Sequence, residues 1–135
     1  MQNTDSPDRS AMSFGGILSW AWAETPPVHR NRVNLLIHMV AVPLFVAGHI
    51  LLVAALASRW VFVIPAVLCV VLSLLLQKVG HGLELQAVHP FTGPRDFVRR
   101  LYAEQFINFW RFLLSGGWYA SFRSSATGAA PSRDA

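Results

Sequence analysis

A chain of 135 residues has room for a single domain. Hydrophobic residues make up 53% of it and charged residues only 13%, against about 25% in an average soluble domain; a soluble fold this small could not hide so much apolar surface, so lipid is the expected solvent. The net charge of +4 comes almost wholly from arginine, and Arg30, Arg32, Lys78, Arg95, Arg99 and Arg100 gather at the ends of apolar runs, which suits anionic head groups and not the continuous basic face that nucleic acid requires.

Residues 1–13 and 123–135, rich in Ser, Asp, Pro, Ala and Gly, are expected to be disordered tails around one helical membrane domain over 14–122. No cleavable signal peptide is expected, because the first long apolar run starts only near Leu35. Phe14 to Ala23 reads as a short interfacial helix with Trp20 and Trp22 as anchors. Leu35 to Ala57 follows, about 23 residues without a formal charge, which at 1.5 Å per residue reaches roughly 34 Å, enough to cross a bilayer core. Trp60 to Leu76, about 17 residues, is the second span, and Pro43 and Pro65 are expected to kink their helices. Only Ser58 and Arg59 separate the two, which demands a tight antiparallel transmembrane hairpin. Both open ends of that hairpin carry several basic residues, so the positive-inside rule places both termini in the cytoplasm, with the bacterial inner membrane, or the endoplasmic reticulum in a eukaryote, as the expected home.

Pro94 to Leu114 reads as a C-terminal amphipathic helix, opened by Thr92-Gly93-Pro94 and stopped by Ser115-Gly116-Gly117. Val98, Tyr102, Phe106, Phe109 and Leu113 form its apolar stripe, and Arg100, Glu104, Asn108 and Arg111 its opposite, solvated face, with Arg100 paired to Glu104. The fold class is therefore all-α: a small integral membrane protein built from a helical hairpin, this helix and the short N-terminal one. The lone Cys69 excludes an intrachain disulfide and a cysteine-only metal site, and reads as a small buried hydrophobe.

Polar side chains at membrane depth are costly and face protein or water. Asn34, His38, Phe45 and His49 share one face of the first span, and Ala66, Cys69, Ser73, Gln77, His81 and Glu84 one face of the second, if that helix continues past Leu76. A turn centred between Ser58 and Arg59 sets His38 opposite about residue 79, Asn34 opposite about 83 and His29 opposite about 88. His29, Asn34, His38, His81, Glu84 and His89 then meet at one membrane boundary. Imidazoles with a carboxylate suit iron or zinc, which makes His29, His38, His81 and His89 candidate ligands. His81 and Glu84, at i and i+3, can reach one ion in the reverse order of the Glu-x-x-His pair of di-iron bundles. His49 lies too deep to join them and is expected to hydrogen-bond across to the second helix.

Two segments resemble the membrane 2-hydroxy fatty acid dioxygenases of the alpha-oxidation type, many bacterial members of which carry only a domain-of-unknown-function label. His29, with Asn34 five residues on, His38 four later, and then a small residue and Pro43, is similar to the family's opening pattern. Gln77-Lys78-Val79-Gly80-His81-Gly82-Leu83-Glu84 is similar to its Gly-His-then-acidic signature after a membrane helix, and the resemblance spans about residues 25–118. Ala41 stands where glycine is usual, the acidic residue comes one position early, and 88–93 differ from the family's Arg-Pro-Ala region. The resemblance implies an iron(II) enzyme that oxidises a 2-hydroxy fatty acid with dioxygen to the acid one carbon shorter. It further implies iron ligation by His29, His38 and His81, with Glu84 and Asn34 as the catalytic residues beside them, Glu84 as ligand or ligand partner and Asn34 as orienter. Arg30, Arg32 or Arg95 would hold the substrate carboxylate, and the acyl chain would lie in the bilayer. The competing reading is a non-enzymatic membrane module that binds lipid or a partner protein, with the Pro94–Leu114 helix as its working surface; a metal or haem carrier subunit is a third. Two short spans shielding this many polar groups leave room for a homodimer.

Overall fold

Ser13 opens α1 (Phe14–Glu24), its hydroxyl accepting from the Gly16 N–H at 3.1 Å. Asn31 opens α2 (Arg32–Ala57), its carbonyl oxygen accepting from the N–H groups of Val33 and Asn34. After Ser58 and an extended Arg59 comes a 3-10 turn, Trp60–Phe62, and then α3 (Val63–His81). A loop leads to α4 (Pro94–Ala103), which runs without a break through a π-helical turn (Glu104–Asn108) into α5 (Phe109–Leu114); Gly116, at φ +82°, stops it as left-handed glycines do, and α6 (Gly117–Ser124) follows. The computed structural model describes residues 9–125, and no strand occurs among them.

The helical segments Arg32–Ala57 and Trp60–His81 are long and apolar enough to cross a membrane, and only 28% and 17% of their most apolar windows are buried inside the protein. Their valines, leucines and isoleucines mostly face outward, whereas the core helix of a soluble protein would hide them. α3 buries only small or polar residues, Ala66, Ser73, Gln77 and Gly80, and α2 sets Asn34, His38, Ala41 and Gly48 beside buried Leu35, Val42 and Phe45. Asn34 packs on Gly80, the Ser73 hydroxyl donates to the Ala41 carbonyl at 2.5 Å, and Gly48 lies against Ala66 and Val70, which is an antiparallel register.

That register is displaced from the expected one, since Asn34 meets Gly80 and not residue 83. Extended and 3-10 backbone rise more per residue than an α-helix, so the chain after Ser58 reaches a given depth in fewer residues. Pro43 lies inside α2, where it withholds a donor from the Met39 carbonyl. Pro65 sits instead in the first turn of α3, where an N–H would have no intrahelical partner, and so has no ladder to break.

The third layer reverses the expectation for Pro94–Leu114. Asp96, Arg100, Ala103, Gln105, Asn108 and Phe112 are buried, while Val98, Tyr102 and Phe106 are exposed. Much of the polar face turns inward, its buried groups finding partners inside the protein, and much of the apolar stripe turns outward, whereas Phe109 stays buried and Arg111 exposed as expected. α6 was not foreseen; it lies on α2, with the Trp118 indole donating to the Leu35 carbonyl at 3.3 Å. Residues 1–8 and 126–135 of the expected tails lie outside the described residues. Arg9 is fully buried: it pairs with Asp96 at 3.1 Å, donates to the Pro90 carbonyl and stacks on Trp20.

At Gly48 even a methyl group would lie 2.8 Å from the Val70 side chain and 2.9 Å from the Ala66 carbonyl. Gly48→Ala should therefore destabilise the α2–α3 pair by about 1–3 kcal/mol, read as a lower thermal midpoint in detergent. An unchanged midpoint would show that the two backbones can separate there without cost.

Candidate metal centre

Three histidines on three different parts of the fold converge. His29 lies in the linker between α1 and α2, His38 in the second turn of α2, and His81 is the last residue of α3. Each offers one ring nitrogen, and these nitrogens all lie within 4.8 Å of one another. The rings meet edge to face, with centroids 4.6 Å (His29–His38), 4.8 Å (His38–His81) and 5.2 Å (His29–His81) apart.

Two of the rings are oriented by backbone carbonyls. Nδ1 of His29 lies 2.7 Å from the Thr25 carbonyl and Nδ1 of His38 lies 2.9 Å from the Asn34 carbonyl. A carbonyl can only accept, so both Nδ1 atoms carry the proton and both Nε2 atoms keep a lone pair. This is the arrangement by which a metal-binding histidine is held in one tautomer. Nδ1 of His81 is buried without a hydrogen-bond partner. Burial, and next the charge of His81, push the His29 ring down to about 4 against the opposing pull of the Thr25 carbonyl, so it is neutral at physiological pH and available as a ligand.

The triad lines a cavity of about 40 Å³, room for roughly three water-sized groups. Val42, Phe109 and Phe112 supply apolar wall, and Arg100, Glu104 and His89 supply polar wall. Arg100 donates through Nε to Glu104 at 2.8 Å and through Nη1 to the His89 carbonyl at 2.7 Å. Burial raises the Glu104 carboxyl above the usual range despite Arg100 beside it. At the cavity edge Gln77 and Gln105 exchange amide hydrogen bonds of 3.0 and 2.6 Å, and Gln77 also donates to Ser73.

Other expected site residues lie elsewhere. Glu84 is no part of the triad: its carboxylate accepts from the backbone N–H groups of Arg30 and Asn31 at 3.0–3.1 Å and from Asn34 Nδ2 at 2.5 Å. The helix ends at His81, so the i, i+3 geometry expected for His81 and Glu84 never forms, and the open N-terminus of α2 attracts the charge instead. Asn34 holds that carboxylate and the Val28 carbonyl with its amide and orients His38 with its own carbonyl. His89 lines the cavity, but its Nε2 is paired with Glu24 at 3.1 Å.

Arg30, Arg32 and Arg95 are exposed and absent from the cavity lining, Arg32 donating to the Phe122 carbonyl and stacking on its ring. The guanidinium in the cavity is that of Arg100, which the sequence pattern puts on a solvated face; the continuous polar arc Asp96–Arg100–Glu104–Asn108 beside two long apolar helices is the signal for it. His49 does reach a partner across the fold, but on α4 and not α3, its Nε2 lying 2.8 Å from the Tyr102 hydroxyl.

Comparison of the chain with protein-family models, with curated proteins and with solved structures finds no match. The geometry separates two neighbouring roles within the site. Glu84→Ala should lower stability by about 1 kcal/mol, as loss of a helix cap does, and loosen the metal site without removing a ligand, so that the ion still binds but more weakly. Metal content falling in parallel with His38→Ala would instead return Glu84 to the ligand set.

Proposed function

We propose that this chain is an integral membrane metalloprotein in which His29, His38 and His81 hold a first-row divalent ion. Iron(II) is the ion that fits the oxidative chemistry its motifs imply, and the reaction is oxidation of a 2-hydroxy fatty acid by one dioxygen to the acid one carbon shorter, with the lost carboxyl carbon leaving as carbon dioxide and the remaining oxygen as water. The carrying observation is the convergence of three imidazoles, two with Nδ1 committed to backbone carbonyls and the third with a buried, unpartnered Nδ1, on one small cavity. Three neutral nitrogens and no carboxylate make a borderline-soft donor set suited to iron or zinc and poorly suited to calcium or magnesium. Bound iron(II) would supply the reactivity toward dioxygen.

The protein's own residues supply position and environment. The carbonyls of Thr25 and Asn34 hold two of the rings, and Glu84 holds the segment that carries them. Val42, Phe109 and Phe112 limit water in the cavity. α2 and α3 form the transmembrane hairpin, with both termini on the cytoplasmic side, and an acyl chain can lie in the bilayer against them while its polar end reaches the cavity. The resemblance of the His29–Pro43 and Gln77–Glu84 segments to the 2-hydroxy fatty acid dioxygenases supports the same reading.

Protein purified in detergent without oxygen and offered iron(II) is expected to bind close to one ion per chain, and His38→Ala/His81→Ala to bind almost none. His89→Ala, a change of a residue paired elsewhere, should keep it. Oxygen uptake with 2-hydroxy fatty acids, absent from the double variant, then tests the reaction. A well-folded wild type that takes up neither iron nor zinc would sink the metal reading in favour of a lipid- or partner-binding module.

A further inference from the structure

Arg100 is 3% exposed, and its side chain is held from several directions. Nε donates to Glu104, Nη1 donates to the His89 carbonyl, and the guanidinium carbon lies 5.1 Å from the Trp20 ring centre and 4.9 Å from that of Phe91. Nη2 has no protein partner among the described residues. A guanidinium keeps its charge at any physiological pH and carries five donors, so a buried one with an unused amino group is an incomplete pair. Arg9 also buries an amino group without a partner among the described residues, Nη1, but its Nε and Nη2 both engage the Asp96 carboxylate and it lies outside the cavity lining. Arg100 lines the cavity of the triad, together with the apolar side chains of Val42, Phe109 and Phe112.

From this arrangement we infer that Arg100 is the anchor for the carboxylate of a single-chain amphiphile whose polar end sits beside the three histidines. The fork of a guanidinium matches a planar carboxylate. The cavity of about 40 Å³ beside the guanidinium receives the carboxylate and its first carbon. The apolar wall receives the first methylenes, and the lipid-facing sides of α2 and α3 leave the rest of the chain in the bilayer. Glu104 occupies the Nε side of the guanidinium and so competes with the incoming carboxylate for it. For its chemical use the anchor rests on the triad reading, but it is tested without the ion.

Binding of decanoate, with decanol as the uncharged control, would be measured on metal-free protein in nanodiscs and on empty nanodiscs. Wild type should bind decanoate saturably, and Arg100→Gln should bind it about 10- to 100-fold more weakly, the worth of a charge-assisted pair, while decanol distinguishes the two proteins little. Arg100→Gln also strips Glu104 of its cation. Glu104→Gln is therefore measured alongside; it removes the internal competitor and should bind decanoate more tightly than wild type. Equal decanoate binding by wild type, Glu104→Gln and a folded Arg100→Gln would overturn the anchor, as would decanol binding as tightly as decanoate. Iron and zinc uptake by the same proteins keeps the two readings apart. Arg100-dependent decanoate binding without metal uptake would support the anchor and sink the triad, and full metal uptake with Arg100-independent binding would do the reverse.

Discussion

The carboxylate of Glu84 ties the beginning of α2 to the chain leaving α3, and the candidate site depends on that tie. A helix begins with N–H groups that its own turns cannot satisfy, and the partial positive charge there favours an anion. Glu84 accepts from the N–H groups of Arg30 and Asn31 and from the Asn34 amide, across 50 to 54 positions of sequence. His29 immediately precedes those donors, His38 lies one turn beyond Asn34, and His81 stands three residues before Glu84. A single polar contact between two segment ends therefore sets the relative depth of all three rings. The close packing of Asn34 on Gly80 leaves little freedom for a slip in register.

The interior that this tie organises sets a hydrogen-bonded polar network beside a small apolar core of Ile17, Leu35, Val42, Phe45 and Phe112, while most apolar side chains of α2 and α3 lie outside. Ser73 donates to the Ala41 carbonyl, Gln77 donates to Ser73, and Gln77 and Gln105 bond each other, so the polar groups between α2, α3 and the third layer form a connected set. Ser73, Gln77 and Gln105 are buried, so each needs a partner, and a shared network is the economical solution. The π-helical turn at Glu104–Asn108 belongs to this solution. By widening one turn it brings Gln105 to Gln77 and Asn108 to the Leu18 carbonyl while Glu104 stays beside Arg100.

Packing and function meet in the cavity wall. The α1–α2 linker, α2 and α3 deliver the rings, α4 delivers the guanidinium, and α5 delivers the aromatic side chains that close the space. Trp20 on α1 lies between the guanidiniums of Arg9 and Arg100, so the N-terminal segment braces the same wall from outside. Fixed ring tautomers, a buried cation and a small apolar space give the cavity the elements of a binding site without requiring any part of the fold to move.

Read alone, the chain already determined the helical class, the two long apolar helices, the near-absence of charge within them, and a group of His29, Asn34, His38, His81, Glu84 and His89 at one end of the hairpin. These follow from composition and from the 3.6-residue period, which are local properties. Of that group, the fold draws His29, His38 and His81 together. The partners of Glu84, His49 and His89 were not legible, because each was chosen by where a loop or a neighbouring helix end came to lie. The burial of Arg100 was not legible for a different reason. A helix with one polar and one apolar face has two possible orientations, and only its surroundings select between them. Here the neighbours of α4 offer it polar partners and its other side faces outward, so the face that water would have claimed turned toward the histidines.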